Sequence, residues 1–457
     1  MTNKNTDRIR NSIFIFKEDV REIIPLLTPI LFEQFAFSLC SILISTAISR
    51  LGDTQVAGYN LAESINLVIN NFITSLGAGV AVLVSQHRGK SNRKETGQVA
   101  IQALYLLLIW GSIISIVLLT GHNLILNTVL GGTEQAVFDN AKTFFVVCAC
   151  SFPFFALYTG SVNIVRGSGH PKKTVFISIF TNVLYAVLSF VFIMFFNLGM
   201  YGPGLAIILA RAYGAIHGVI MIKNGNTNIY VESLRIRHID WKTIKLVLFI
   251  GVPIGVENVM FQFGRLLTQT FIIPLGTASL AANAIANNMS SLLLVPGNAL
   301  QLAAIPLVGR YVGMDDHKKA KSMSSSCTIF CMMALSAICV IAFFLLDGFM
   351  GLYKQSEEVE SIIRSLYNVY LILMPLMWAV SFVLPSALRA AGDVQNNMIT
   401  AVVCMFVFRV GASFLLTKYT SLGIHGIWIG MYLDWFFRAI FFILRFRSGK
   451  WLTKKLV

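Results

Sequence analysis

Two acidic residues stand where a carboxylate is costly. Glu33 lies in "TPILFEQF" (Thr28 to Phe35) and Glu257 in "VPIGVENV" (Val252 to Val259). Each follows Pro-Ile by two residues and precedes an amide, Gln34 or Asn258. Both sit in long apolar stretches, where an isolated charge costs about 3 kcal/mol or more. Such a group can carry a proton, bind Na⁺ or meet a cationic cargo. It can equally be a packing carboxylate bonded to a neighbouring helix, holding a bundle together near one end.

Other polar groups recur at helical spacing. Asn60, Glu63, Asn66 and Asn70 share one face of a helix, and Asn283, Asn287, Ser291 and Asn298 repeat the pattern further on. Asn182 is similar. These rows fit a wet interior, or amides that join helices across a membrane. Arg211, Arg265, Arg409 and Arg438 also fall inside apolar stretches. Arg438 is four residues after Asp434, a spacing that pairs them on one helix, and it lies near enough to a helix end to snorkel. Arg265 comes eight residues after Glu257 and can meet an anionic cargo group or a neighbouring carboxylate. Prolines at 29, 153, 253, 296, 306, 375 and 385 invite kinks that free carbonyls.

The elements that position these residues follow from composition. Of 457 residues, 56% are hydrophobic and 12% charged, outside the range of soluble domains. A bilayer needs about 20 apolar residues per helix. About twelve such stretches occur, near 22–49, 56–84, 97–120, 137–162, 174–196, 203–222, 245–273, 279–308, 324–346, 362–387, 397–417 and 424–444. This predicts an all-α integral membrane protein. The seven cysteines all lie in apolar segments and show no metal spacing. No cleavable signal pattern opens the chain, so the first helix is expected to direct its own insertion.

The net charge is +15, and its placement decides topology. Basic residues crowd the N-terminus, alternate loops (Arg88 to Lys94, Arg166 to Lys173, Lys223 to Lys245, Arg310 to Lys321, Arg389) and the C-terminus. The other loops hold little more than Arg50, Lys142, Lys354 and Lys418. The positive-inside rule then predicts both termini in the cytoplasm of a multi-pass cell-membrane protein. Charges spread over many short loops suit anionic lipids better than nucleic acid, and no nucleic-acid partner is expected.

The chain also repeats itself. With a shift of 224 residues, Pro29, Glu33 and Phe37 fall on Pro253, Glu257 and Phe261. Leu51-Gly52 falls on Leu275-Gly276, Gly89 on Gly313 and Leu198-Gly199 on Leu422-Gly423. With a shift of 223, Arg166 and Gly169 fall on Arg389 and Gly392. Six helices per half gives parallel repeats. The expected organisation is an N-terminal lobe over 1–222, a cytoplasmic linker over 223–244 and a C-terminal lobe over 245–457, around a central cavity. Neither a G-x-x-x-x-G-K-[ST] stretch nor a catalytic motif is present. Energy is expected from an ion gradient or from the cargo's own, and no enzymatic activity or resident cofactor is expected.

Several stretches resemble the multidrug and toxic compound extrusion (MATE) transporters. "GAGVAVLVSQHRGKSNRKE" (77–95) and "NALQLAAIPLVGRYVGMDDHKKA" (298–320) look like the exits of helices 2 and 8 there. "VRGSGHPKKTVFISIFTNVL" (165–184) and "LRAAGDVQNN" (388–397) are similar to the Arg-x-x-Gly loops before helices 5 and 11. "RFRSGKW" (445–451) is similar to the basic exit after the last helix. The resemblance implies two six-helix lobes and export of amphipathic, often cationic compounds in exchange for H⁺ or Na⁺, by a monomer among membrane lipids. One departure matters. The family usually carries an Asp late in helix 1, a few residues before a Leu-Gly pair, and Ile44 stands at about that place. Glu33 lies eleven residues earlier on the same face, about 16 Å along the helix. The helix-7 acid of many members also comes later than Glu257, nearer Phe261. The expected ion- and cargo-binding set is therefore Glu33, Gln34, Asn66, Asn70, Asn182, Glu257, Asn258, Arg265, Asn287 and Ser291. An alternative cargo is a lipid-linked or peptide-type compound whose anionic head meets the arginines.

Overall fold

The computed structural model describes residues 2–224, 229, 240–353, 355–454 and 456. Most of the expected linker, with Arg235 and Arg237, lies outside them, as do Lys354 and Lys455.

Among the described residues every regular element is helical. In chain order these are α1 (Thr2–Ser49), α2 (Asp53–Gly89), α3 (Arg93–Leu130), α4 (Gln135–Ala149), α5 (Phe152–Gly167), α6 (Pro171–Met194), α7 (Tyr201–Lys223) and α8 (Trp241–Thr270). Then come α9 (Thr277–Leu293), α10 (Val295–Gly313), α11 (His317–Tyr353), α12 (Glu357–Trp378), α13 (Leu384–Ala390), α14 (Val394–Val403), α15 (Ala412–Tyr419) and α16 (Ile424–Arg447). Two π-helical segments, Ala379–Val383 and Cys404–Gly411, join α12 to α13 and α14 to α15.

Ten helical stretches are long and apolar enough to cross a membrane, and the bent pairs α4–α5 (54°) and α9–α10 (47°) raise this to twelve if each is one span. They fall where the apolar stretches of the sequence lie. Proline explains both bends. Pro153 and Pro296 sit in the first turns of α5 and α10. A proline has no N–H to bond four residues back, and its ring displaces that carbonyl. Pro253, Pro306 and Pro375 stay inside α8, α10 and α12. Large apolar side chains point outward along the spans, such as Phe344, Leu124 and Phe176. So much exposed apolar surface suits contact with lipid.

The chain forms two compact units, Thr28–Asn258, and Val259–Val457 together with Met1–Leu27. Both boundaries fall inside helices, α1 and α8. In the first unit α2 packs on α3, α4 and α5, and α7 on α4, α5 and α6. The first half of α8 joins this unit through small residues. A Cβ on Gly251 would lie 2.8 Å from Leu76 Cα, and one on Gly79 would lie 2.9 Å from the Gly251 nitrogen. Helices in lipid gain from such close approach because apolar burial alone does not drive them together. In the second unit α10 packs on α11 and α13, and α12 on α9, α11 and α16.

The repeat extends to the backbone. Gly52 and Gly276 have φ of 115° and 94°, Gly169 and Gly392 of 83° and 91°, and Gly199 and Gly423 both of 52°. Ser91 and Asp315, two residues after the matched Gly89 and Gly313, have φ of 58° and 61°. Left-handed residues are uncommon outside glycine. Their recurrence at an offset of 223 or 224 marks two copies of one design.

Candidate functional site

Glu33 of α1 is buried and ion-paired with Arg166, at the last turn of α5, through Oε1 and Nη2. Glu33 Oε2 and Arg166 Nε make no hydrogen bond among the described residues. Gln34 beside it is half-buried. A buried pair of this kind offsets the desolvation of both charges, and removing one partner strands the other.

A second polar cluster lies in the same unit. Arg211 of α7 donates from Nη1 to Ser151 Oγ at 2.6 Å and from Nη2 to Asn70 Oδ1 at 3.0 Å. Its guanidinium lies over the Phe155 ring, 4.3 Å from the centroid. The half-buried Glu63, two turns before Asn70 on α2, lies within electrostatic range of Arg211. Asn66, between them, is fully buried. Tyr59 and Tyr185 complete the surroundings of Glu63.

The two tyrosines also cap an apolar cluster of Cys40, Ile44, Ala47, Ile48, Ala186 and Ile193. Ile44 is thus a packed hydrocarbon in a cluster that the tyrosine neighbours of Glu63 also touch. The acid that shares these tyrosines is Glu63, on α2 rather than α1. The helical polar row held the signal for it, since Glu63 is the one ionisable member.

The remaining expected residues are dispersed. Glu257 is buried on α8, and Asn258 donates from Nδ2 to Ser75 Oγ at 2.8 Å, tying α8 to α2. Asn182 and Asn287 donate to the carbonyls of Ser178 and Asn283 in their own helices. Ser291 donates to the Asn287 carbonyl and is exposed. Asn283 accepts from Trp428 Nε1 at 3.2 Å, which joins α9 to α16.

In the Met1–Leu27 and Val259–Val457 unit, arginines gather around one acid. Arg438 donates from Nε and Nη2 to Asp434 Oδ1 at 3.2 and 2.9 Å. It is 2% exposed, so it is a buried ion-pair partner rather than a snorkelling residue. Arg409 Nη1 lies 3.9 Å from Asp434 Oδ2. Arg265 is exposed and lies within electrostatic range of Arg409. Its side chain makes no hydrogen bond or ion pair with a described residue. Phe261, Phe382, Tyr370 and Trp435 surround the group with rings. Arg409 and Phe382 each lie in a π-helical segment, and such segments recur at functional sites. Pro385 accounts for the first, since its missing N–H leaves the Ser381 carbonyl without an α-helical donor. No proline accompanies the second. Among the described residues no three His, Cys, Asp or Glu side chains gather into a group that could hold a metal ion.

Comparison with known proteins agrees with this architecture. The MatE family model matches residues 29–191 and again 253–415, so both ends of the match repeat at the 224-residue offset. A probable multidrug resistance protein NorM of Thermotoga maritima is 24% identical over 96% of this chain and 95% of its own. An uncharacterized transporter YisQ of Bacillus subtilis is 26% identical over 89% of this chain and 90% of its own. Among solved structures, a MOP superfamily transporter from Pyrococcus furiosus, described as having a binding pocket of reverse polarity, superposes with TM-score 0.87 at 20% identity, covering 96% and 97% of the two chains. An outward-facing multidrug resistance MATE family transporter gives the same TM-score, identity and coverage. With its family model matched once in each half, over both repeats of a multi-span helical fold, the chain belongs to the MATE family of multidrug efflux transporters.

Proposed function

We propose that this protein is a secondary-active exporter of amphipathic compounds, driven by a proton gradient, with Glu63 as the proton-carrying group. One observation carries the choice. Glu63 shares its surroundings with Arg211, which Asn70 and Ser151 also hold. Proton uptake by Glu63 leaves the guanidinium with its two neutral partners, and proton release restores its charged neighbour. Any rearrangement of α2 against α7 changes that balance, which couples protonation to conformation. Na⁺ fits less well, because a fixed guanidinium repels a second cation and the cluster gathers few free oxygens. Glu33 then acts as a positioning residue through Arg166. Both termini lie in the cytoplasm on this reading, as the basic loops suggest.

The test uses proteoliposomes with a trapped fluorescent amphiphile and an imposed gradient, acid outside or Na⁺ outside. Glu63→Gln keeps the shape and fixes the neutral state. It should lose most pH-driven efflux, a fall of tenfold or more, while gradient-free exchange of the compound persists. Wild-type rates in Glu63→Gln, or efflux driven by Na⁺ alone at uniform pH, would overturn the assignment.

A further inference from the structure

On the reading that the chain exports an amphiphile, we infer that Arg265, Arg409 and Arg438 form an anion-binding site, and that the cargo carries a carboxylate, sulfonate or phosphate on an apolar, ring-bearing body. The charge balance points this way. Two guanidiniums, Arg409 and Arg438, meet one carboxylate, Asp434, and both face the ring of Phe261, one turn before Arg265, which lies within electrostatic range of Arg409, so the group carries an excess of two positive charges. Arg438 takes Asp434 Oδ1 with two hydrogen bonds. Arg409 keeps only a 3.9 Å contact with Oδ2, and Arg265 has no ionic partner among the described residues. Several other acids of this unit are engaged elsewhere. Asp19 is bound by Lys319, Asp393 by Arg445 and Lys454, and Asp347 by Arg364. A cationic cargo would meet repulsion here, whereas an anion supplies the missing charge.

The surroundings are those of a binding site rather than of a structural ion pair. Arg409 is carried on the π-helical Cys404–Gly411 and Phe382 on the π-helical Ala379–Val383, and both segments pack against α16. The Trp435 indole N–H is buried and has no hydrogen-bond partner among the described residues. Rings of Phe261, Phe382 and Trp435 lie 6.2 and 6.5 Å apart in sequence around the guanidiniums. Arginine suits this role because its planar fork takes a carboxylate or phosphate through two parallel bonds while its face lies on an aromatic ring. A free organic anion and an anionic lipid headgroup share this chemistry.

Three matched pyrene probes separate the possibilities: pyrenebutanoate, its amide, and a trimethylammonium analogue, with binding measured to the full chain in detergent and export measured from proteoliposomes. A fluorescent phosphatidate flipped across the same vesicles tests the lipid source. The wild type should bind the carboxylate at least tenfold more tightly than the amide or the ammonium. Arg409→Gln and the more exposed Arg265→Gln should each lose tenfold or more, with Arg409→Lys in between. Arginine-dependent flipping of phosphatidate without binding of pyrenebutanoate would assign the site to a lipid headgroup. Equal or tighter binding of the ammonium, or full carboxylate binding in Arg265→Gln, would overturn the inference. Should the ammonium be exported under a pH gradient in a Glu63-dependent way, the anion site fails and the exporter stands. Should the carboxylate bind through the arginines while no probe or lipid moves under any gradient, the site stands and the exporter fails.

Discussion

Glu33 shows how one contact changes what a residue can do. On its own it is an acid in a membrane helix, and such acids default to function. Paired with Arg166 it is one half of a buried bridge between α1 and α5. Glu33→Gln should therefore act first on stability, stranding the Arg166 charge at a cost of about 3–5 kcal/mol. The double variant Glu33→Leu with Arg166→Met removes both charges and should recover most of that loss. Thermal unfolding of the wild type, Glu33→Leu, Arg166→Met and the double variant in one detergent measures the coupling. If Glu33→Gln unfolds at the wild-type temperature yet stops pumping, the pair is not structural and the carboxylate belongs to the transport cycle.

At the scale of elements, short loops are pinned to helix ends by charge. Asp393 precedes α14 and is fully buried. Arg445 Nε reaches its Oδ2 at 2.6 Å and Lys454 Nζ its Oδ1 at 3.1 Å. Burial pushes its carboxyl up, but hydrogen bonds from Arg445, Asn396 and Lys454 outweigh this and hold it below the usual carboxylate range. A depressed folded pKa stabilises the fold above the unfolded value of about 3.9. That stability is lost as pH falls through the folded value. Asp393→Asn should thus cost about 2 kcal/mol at pH 7, since both cations are partly exposed and can regain water. The gap in unfolding temperature between wild type and variant should close below about pH 4. A gap that is constant down to pH 3 would mean that packing, not charge, holds this loop.

At the scale of the whole molecule, α1 is one unbroken helix whose residues up to Leu27 belong with 259–457 and whose later residues belong with the first unit. Its first part is fastened by acids. Asp19 is fully buried, paired with Lys319 at 2.7 Å and accepting from Ser322 and Ser326 at 2.7 and 2.6 Å. Glu22 accepts from the Tyr311 hydroxyl at 2.7 Å. Asp19→Ala should loosen this stretch and speed tryptic cleavage at the exposed Lys17 and Arg21 by about tenfold, the effect of roughly 1.4 kcal/mol. In sealed vesicles the cut should require trypsin on the cytoplasmic side. Cleavage from the outer side would reverse the topology read from the basic loops.

The membrane class, the long apolar stretches and the 224-residue repeat were all legible in the sequence. Apolar length, charge asymmetry and recurring glycines are local or one-dimensional signals, and they do not depend on which helix meets which. Pro153 and Pro296 likewise announced the two bends, because a missing N–H acts wherever the helix goes. Tertiary structure decided the roles of the ionisable residues. Glu33 and Arg166 are 133 positions apart, as are no residues that a helical period can bring together. The same is true of Arg211 with Asn70 and of Arg409 with Asp434. The unit boundaries inside α1 and α8 were also hidden, since an unbroken apolar helix carries no mark of which neighbours it serves. A carboxylate's chemistry is set by the charges within a few ångströms of it, and only the folded chain chooses those.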